Sequence, residues 1–176
     1  LNRSGQFIGF APGSVWNTKR WPKEHFISLG KKLASDGASL VMVGSREDAA
    51  LCEEIGFAIG SGGIVNAAGK LSLLQSAELI RRCSLLISND SAPMHLAVAV
   101  RTPVVALFGA TVPRFGFAPR GQHDVVAEVN GLACRPCSIH GGDKCPIKTF
   151  VCMKDLKPEI VYAKVQTVLG TLQSEE

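Results

Sequence analysis

The sequence predicts an α/β fold, a Rossmann-like doubly wound parallel sheet, from three observations. Apolar runs of strand length alternate with longer segments whose apolar residues recur at helical spacing. Polar or glycine-containing turns follow several of the runs, as at Pro12-Gly13-Ser14, Gly44-Ser45 and Asn89-Asp90-Ser91. Strands that alternate with helices must be parallel, because each helix returns the chain to the starting edge of the sheet, and helices then cover both faces.

Predicted strands are the short apolar runs between turns. They cover residues 7–11, 40–43, 64–67, 85–88, 104–108 and 124–129.

The first two predicted helices are bounded by proline and glycine signals. Pro22 suits the first turn of a helix over 24–35, which Asp36-Gly37 ends. A second helix over 48–59 has an apolar side, for which we expect Ala50, Leu51, Cys52 and Ile55.

The remaining predicted helices have polar or proline starts. Ser72 with Gln75 forms a capping box for a helix that ends at Arg82, and Ser91 is expected to cap a helix over 93–100. Pro158 opens a final helix over 159–172 with these residues inward: Ile160, Val161, Val165, Val168 and Leu169.

Length and composition indicate one globular domain. The chain has 176 residues, of which 46% are hydrophobic and 19% charged, and its apolar runs are too short for a transmembrane helix. The net charge of +4 is spread without a basic stripe, so we expect no nucleic-acid partner. The first residues, LNRSGQ, lack a signal-peptide core, which favours the cytoplasm.

The segment from residue 85 to 111 is the predicted site. A buried strand, a polar turn, a short helix and a second strand form a βαβ unit, and open α/β sheets bind ligands where such turns leave the strand ends. The free N–H groups of Ser91 and Ala92 at the helix start favour an anion such as phosphate. Asp90 suits a sugar hydroxyl or a backbone N–H, or is a plain turn residue, and His95 is either a ligand or a partly buried structural histidine.

The loop after the first strand faces the same edge. Gly13 permits close backbone approach, Ser14 and Thr18 offer hydroxyls, and Lys19 offers a cation for phosphate; the alternative is an exposed polar loop. Glu47 follows the second strand, where an acidic residue often holds a ribose hydroxyl, but G-x-G-x-x-G is absent, which argues against an NAD site.

Six cysteines are present, and four of them lie within 19 residues. Cys134, Cys137, Cys145 and Cys152 could ligate a structural zinc, could be free thiols in a compact loop, or could include a catalytic dithiol. Cys52 and Cys83 are expected to be core residues.

Three blocks together resemble glycosyltransferase family 9, whose best-known members are bacterial lipopolysaccharide heptosyltransferases. They are APGS with KRWP at residues 11–22, SNDSAPMHLA at 88–97 and TPVVALFGAT at 102–111, and the cysteine segment is similar to the family's C-terminal region. The resemblance implies one half of a GT-B fold, the domain that binds an ADP-heptose donor, without cofactor or metal. It also implies an inverting transfer of heptose to the lipopolysaccharide inner core.

The resemblance also implies residue roles. Ser14 and Lys19 would contact the diphosphate, with Ser91 and Ala92, while Asp90 and His95 would face the sugar and Leu71 the adenine. We expect Lys19 and Asp90 to be the catalytic residues and Gly13 and Thr18 to help bind the donor.

The resemblance covers only the donor-binding half of the family's fold. The acceptor-binding domain, with its general base, has no counterpart in these 176 residues, so we expect a fragment that binds donor and turns over poorly. The full-length enzyme would work in the cytoplasm, in peripheral association with the inner membrane. Alternatives are a non-catalytic nucleotide-sensing domain, a different GT-B nucleotide-sugar enzyme, or a zinc-bearing interaction module.

Overall fold

Six parallel strands form one sheet in the computed structural model, which describes residues 6–60 and 62–174. The strand order is β3-β2-β1-β4-β5-β6, so the predicted fold class is confirmed. The strands are β1 Phe7–Ala11, β2 Ser39–Met42, β3 Ile64–Asn66, β4 Leu85–Asn89, β5 Val104–Phe108 and β6 Val125–Glu128. The order reverses between β1 and β4, and the crevice outside their carboxyl ends is where this fold binds ligands.

Six α-helices accompany the sheet in the described residues. They are α1 Lys23–Ser35, α2 Ala49–Ile59, α3 Leu73–Arg81, α4 Ala92–Ala99, α5 Val151–Lys154 and α6 Pro158–Ser174, with short 3-10 turns at Asn17–Lys19 and Pro113–Phe115. Most predicted elements agree within two residues at each end, and α5 is a helix that the sequence did not predict.

The core has two layers because both faces of the sheet are covered. One apolar cluster packs Phe10 and Phe26, with ring centroids 5.5 Å apart, beneath α1, α2 and α6. The other contains Met94 of α4 and Phe108 of β5, together with Ile80 of α3. Because parallel strands are buried on both faces, every residue of β4 and β5 is buried; β5 is an unbroken apolar run, and β4 ends in the buried polar residues Ser88 and Asn89.

Two inward positions and one cap were predicted wrongly. Ala50 is exposed, and Ile160 is 43% exposed because α6 turns Val161 and Val165 toward the sheet instead. Ser91 forms no side-chain cap; the hydrogen bond of its Oγ is one that it donates to the Asn89 carbonyl at 3.3 Å.

The capping box of α3 is confirmed. The Gln75 backbone N–H donates to Ser72 Oγ at 3.3 Å, and the Ser72 N–H donates to Gln75 Oε1 at 2.9 Å. This box fixes the start of α3 close to the carboxyl edge of the sheet.

None of the helices in the described ranges combines the length and apolar character needed to cross a membrane. The first five residues, used above for the signal-peptide expectation, lie outside the described part of the chain.

Candidate functional site

A cavity of about 610 Å³ opens at the carboxyl ends of β1, β2 and β4. It is lined by residues from the loops after these strands and from the starts of α3 and α4: Gly13, Ser14, Val15, Arg20, Val43, Gly44, Ser45, Glu47, Asp48, Leu71, Leu73, Ser76, Ser91, Ala92, Pro93 and Leu96. Of the predicted site residues, Gly13, Ser14, Leu71, Ser91 and Ala92 therefore share one cavity. Its place matches the ligand crevice expected of a doubly wound sheet.

Gly13 is required where the β1 loop meets the β2 loop. A Cβ on Gly13 would lie 2.1 Å from Asp48 Oδ1, which is far inside van der Waals contact. Asp48 is held there because its Oδ2 accepts from the Ser45 N–H at 2.9 Å and the Ser45 hydroxyl at 2.8 Å. A carboxylate is thus fixed in the cavity wall beside the β1 loop.

Lys19 and Asp90 form a buried ion pair. Lys19 Nζ lies 2.7 Å from Asp90 Oδ2, and their side chains are 13% and 4% exposed. The Thr111 hydroxyl donates to the same Asp90 oxygen at 2.7 Å. Asp90 therefore bonds a cation and a hydroxyl from two other loops, whereas the sequence suggested a sugar hydroxyl or a backbone N–H.

Asn89 positions the β1 loop from the end of β4. Its Oδ1 accepts from the Trp21 N–H at 3.0 Å, and its Nδ2 donates to the Pro12 carbonyl at 2.7 Å. The side chain is fully buried, so these bonds satisfy polar groups that would otherwise be costly to bury. The sequence assigned Asn89 to the turn and gave it no role, although an amide at a strand end was the available signal.

Thr18 joins the β1 loop to the cysteine segment rather than to the cavity. Its hydroxyl accepts from the Gly142 N–H at 2.8 Å, and its own N–H donates to the Gly142 carbonyl at 3.0 Å. The Thr18 side chain is buried. Thr18 thus holds the loop next to Lys19, and this structure gives it no contact with the cavity.

The cysteine segment contains free thiols. Cys134, Cys137, Cys145 and Cys152 are all unpaired, and the described ranges contain no group of three His, Cys, Asp or Glu side chains arranged to hold a metal ion. Burial, and after it the neighbouring thiol Cys137, raises the pKa of Cys152 to about 11, although the charge of Arg135 acts in the opposite direction. This geometry adds no support to the zinc alternative.

The start of α4 carries the predicted anion site. The Ser91 backbone is extended, and Ser91 and Ala92 both line the cavity, while Pro93 in the first turn has no N–H to satisfy. His95 is exposed on α4 and does not line the cavity, so it is not a partly buried structural histidine.

Arg20 is a cavity residue to which the sequence gave no role. Its Nε donates to the Ser14 carbonyl at 2.8 Å, and its side chain lines the cavity. Lys19, the predicted phosphate cation, is instead neutralised by Asp90 and is absent from the lining. In the sequence, only its position next to Lys19 pointed to Arg20, and no local pattern shows which of the two cations reaches the cavity.

The fold defines the Rossmann-like class of α/β domains, and the cavity lies at its topological switch point. The family model of glycosyltransferase family 9 (heptosyltransferase) matches residues 2–142. The chain belongs to glycosyltransferase family 9.

Relatives extend the match to nearly the whole chain. It is 38% identical over 167 residues to lipooligosaccharide heptosyltransferase 2 of Haemophilus influenzae, covering 93% of this chain and 47% of that protein. It is 31% identical over 173 residues to lipooligosaccharide heptosyltransferase 2 of Campylobacter jejuni, covering 96% of this chain and 53% of that protein. The chain thus spans about half the length of the curated relatives it matches.

A solved structure agrees with the sequence matches. The structure of Escherichia coli ADP-heptose lps heptosyltransferase II superposes with a TM-score of 0.80 at 30% identity, covering 99% of this chain and 48% of that chain. The similarity is consistent with a Rossmann-like half of a GT-B glycosyltransferase.

Proposed function

We propose that this chain is the donor-binding domain of a heptosyltransferase that takes ADP-heptose and transfers heptose to the inner core of lipopolysaccharide. The observation that carries the proposal is the cavity of about 610 Å³ at the switch point, in a chain of family 9 similar to an ADP-heptose heptosyltransferase. The acceptor-binding domain would lie in the rest of the enzyme, and the transfer would invert the anomeric centre without a metal.

The adenosine end would lie between α3 and the loop after β2. Leu71 offers an apolar surface for adenine, and it is 36% exposed at the cavity. Glu47 and Asp48 present carboxylates on the same wall, where a carboxylate can accept hydrogen bonds from ribose hydroxyls. Asp48 already accepts two bonds from Ser45, so Glu47 is the candidate ribose ligand.

The diphosphate would lie between the β1 loop and the start of α4. Ser91 and Ala92 would bind it through their N–H groups, aided by the positive end of the helix dipole. Ser14, next to Gly13 in the cavity wall, would donate a hydrogen bond from its hydroxyl to the diphosphate. Arg20, held by the Ser14 carbonyl at 2.8 Å, would add a charge-assisted bond.

Lys19 would act on the departing ADP. When the anomeric C–O bond breaks, negative charge grows on the diphosphate, and a cation nearby stabilises it. Asp90 would hold Lys19 in position at 2.7 Å until then. His95 would face the sugar from α4, and the acceptor hydroxyl would lose its proton to a base supplied by the other domain.

The full-length enzyme would work in the cytoplasm, in peripheral contact with the inner membrane where its acceptor is assembled. Fractionation of cells that express it tests this location directly. Enzyme released from membranes by salt would support it, while a secreted protein would contradict it.

Calorimetric titration of this chain with ADP-heptose, ADP and UDP tests the donor assignment. We expect ADP-heptose to bind better than ADP and UDP not at all. Arg20→Ala should weaken ADP-heptose binding about 10-fold or more, the equivalent of a charge-assisted hydrogen bond of about 1.5–3 kcal/mol. Arg46→Ala is the matched control, because Arg46 is exposed after β2 and does not line the cavity.

The titration also separates the proposal from its alternatives. Equal affinity for ADP and ADP-heptose would favour a nucleotide-sensing domain. A preference for UDP-sugars would indicate a different GT-B enzyme. Equal losses in the Arg20 and Arg46 variants would show that general charge, not the cavity, attracts the ligand.

A further inference from the structure

The cysteine segment, residues 134–152, is linked to the buried ion pair of Lys19 and Asp90 by hydrogen bonds to two threonines. We propose that this segment positions both members of the ion pair for the transfer, and that Thr18 and Thr111 are the positioning residues through which it acts. The inference rests on the proposed function, because Lys19 and Asp90 act on the donor only if that function holds.

On the lysine side, the segment holds the residue before Lys19. The Gly142 N–H donates to the Thr18 hydroxyl at 2.8 Å, and the Thr18 N–H donates to the Gly142 carbonyl at 3.0 Å. Thr18 and Lys19 belong to the same 3-10 turn, Asn17–Lys19, so the two bonds also fix the backbone from which the lysine side chain extends. Gly141 lies against the lysine stem, since a Cβ there would lie 3.2 Å from Lys19 Cγ.

The turn that carries Gly142 is held by its own hydrogen bonds. The Ser138 hydroxyl accepts from the Gly141 N–H and donates to the Gly141 carbonyl, both at 2.8 Å. Gly141 has a φ of 93°, which favours glycine because a side chain would be strained there. Gly142 is therefore presented to Thr18 from a turn with a defined backbone.

On the aspartate side, the segment holds the loop after β5. The Cys137 N–H donates to the Ala110 carbonyl at 2.9 Å, and Arg135 Nη2 donates to the Thr111 carbonyl at 2.8 Å. Thr111 is buried, and its hydroxyl donates to Asp90 Oδ2 at 2.7 Å. This is the carboxylate oxygen that also forms the ion pair.

These contacts form a closed ring, which runs from Lys19 through Asp90 and Thr111 to the cysteine segment and returns through Thr18. A lysine carries its charge on a flexible stem, so its position depends on what surrounds it. A displacement of about 1 Å from the productive geometry can cost about 100-fold in rate. Neither threonine lines the donor cavity, so loosening the ring should change turnover rather than donor affinity.

Thr18→Val tests the ring, because valine has the shape of threonine but lacks the hydroxyl that accepts from Gly142. In the full-length enzyme we expect kcat to fall about 10-fold or more, while the Kd for ADP-heptose changes by less than about 2-fold. Thr18→Ser keeps the hydroxyl and should restore kcat. Thr111→Val, which removes the bond to Asp90 on the other side of the ring, should give the same pattern, and Thr111→Ser should restore kcat.

Thr102→Val is the matched control. Its hydroxyl is also buried and donates to the Ile80 carbonyl at 2.9 Å, but it lies before β5, at the edge of the sheet opposite to the ion pair. This variant loses one buried hydrogen bond without touching the ring. Its kcat should equal the wild-type value.

Acetylation of Lys19 by acetic anhydride, followed by mass spectrometry of this chain, measures the position of the lysine without any turnover. The amine is paired with Asp90 and its side chain is 13% exposed, so it should react slowly in the wild-type chain. We expect acetylation about 5-fold faster in Thr18→Val, the factor that corresponds to one neutral hydrogen bond. Thr18→Ser and Thr102→Val should react at the wild-type rate, with exposed Lys31 as the internal reference.

Four results would overturn the proposal. An unchanged acetylation rate in Thr18→Val would mean that the segment does not hold Lys19, and faster acetylation with unchanged kcat would mean that its position does not matter to the reaction. An equal fall of kcat in Thr102→Val, or no recovery in Thr18→Ser, would mean a general loss of structure. A wild-type enzyme that does not turn over ADP-heptose would instead refute the proposed function, and the acetylation rates would still decide whether the segment positions Lys19.

Discussion

The buried ion pair between Lys19 and Asp90 gives the sharpest prediction for stability. The two charges lie 2.7 Å apart with side chains 13% and 4% exposed, so neither can be solvated if its partner is removed. Removing one member of a buried pair costs about 3–5 kcal/mol because the other charge remains buried. We therefore expect Asp90→Asn to lower the free energy of unfolding by about 3 kcal/mol.

Lys19→Met should cost less than Asp90→Asn. Asp90 would keep the Thr111 hydroxyl at 2.7 Å, so its charge would retain one hydrogen bond. We expect a loss of about 2 kcal/mol, the range for a buried charged group left partly unsatisfied. The double variant removes both charges and should cost less than the sum of the single changes by about 1–3 kcal/mol.

Urea unfolding followed by the fluorescence of buried Trp21 measures all three variants. The matched control is the ion pair between Lys23 and Glu54, whose side chains are 40% and 56% exposed. Because water screens an exposed pair, Lys23→Met and Glu54→Gln should show no measurable coupling. Strictly additive losses at Lys19 and Asp90, or equal coupling in the two pairs, would refute the reasoning.

Three further changes test a close contact at Gly13, the cap of α3 and the buried His25. Gly13→Ala should destabilise the chain by about 1–3 kcal/mol and weaken ADP binding, because the new Cβ would lie 2.1 Å from Asp48 Oδ1. Ser72→Ala should cost about 1 kcal/mol in urea unfolding through loss of the α3 cap. Burial, and after it the charge of Lys157, lowers the pKa of His25 from its ordinary value of 6.5. The free energy of unfolding should therefore be highest above pH 6.5 and fall as the pH drops through and below that value. His25→Gln should flatten this profile.

Each of these predictions has a control in the same chain. Gly170→Ala, in α6 with nothing within 4 Å of the added Cβ, should stabilise by about 0.5–1 kcal/mol, and a loss there equal to that at Gly13 would contradict the steric argument. Ser72→Asp should restore the cap and its stability. His140→Gln, at an exposed position, should leave the pH profile unchanged, and a flattened profile would assign the effect elsewhere.

The fold was predictable because its signals are local. The run at Val104–Phe108 matches β5 residue for residue, and the Ser72 capping box needs only four consecutive residues. Ser91 shows where local signals fail. A serine before a helix predicts a cap, but the Ser91 hydroxyl donates to the Asn89 carbonyl and accepts from no N–H group of α4.

The site was predictable only in part because its contacts are distant along the chain. The ends of strands indicated Gly13, Ser14, Ser91 and Ala92, which all line the cavity. The bond from Gly142 to Thr18 spans 124 residues, and no spacing rule reveals such a contact.

On the proposed function, Lys19 and Arg20 would have different roles, although they are neighbours in the loop after β1. Asp90 neutralises Lys19 before any donor arrives, whereas Arg20 reaches the cavity. On the proposed function, Arg20 and the start of α4 would supply the ground-state affinity. Lys19 would contribute most when charge grows on the leaving diphosphate and outcompetes Asp90 for it. Only an interaction that strengthens in the transition state raises kcat, so on the proposed function a lysine paired with Asp90 would favour kcat more than a lysine without a partner would.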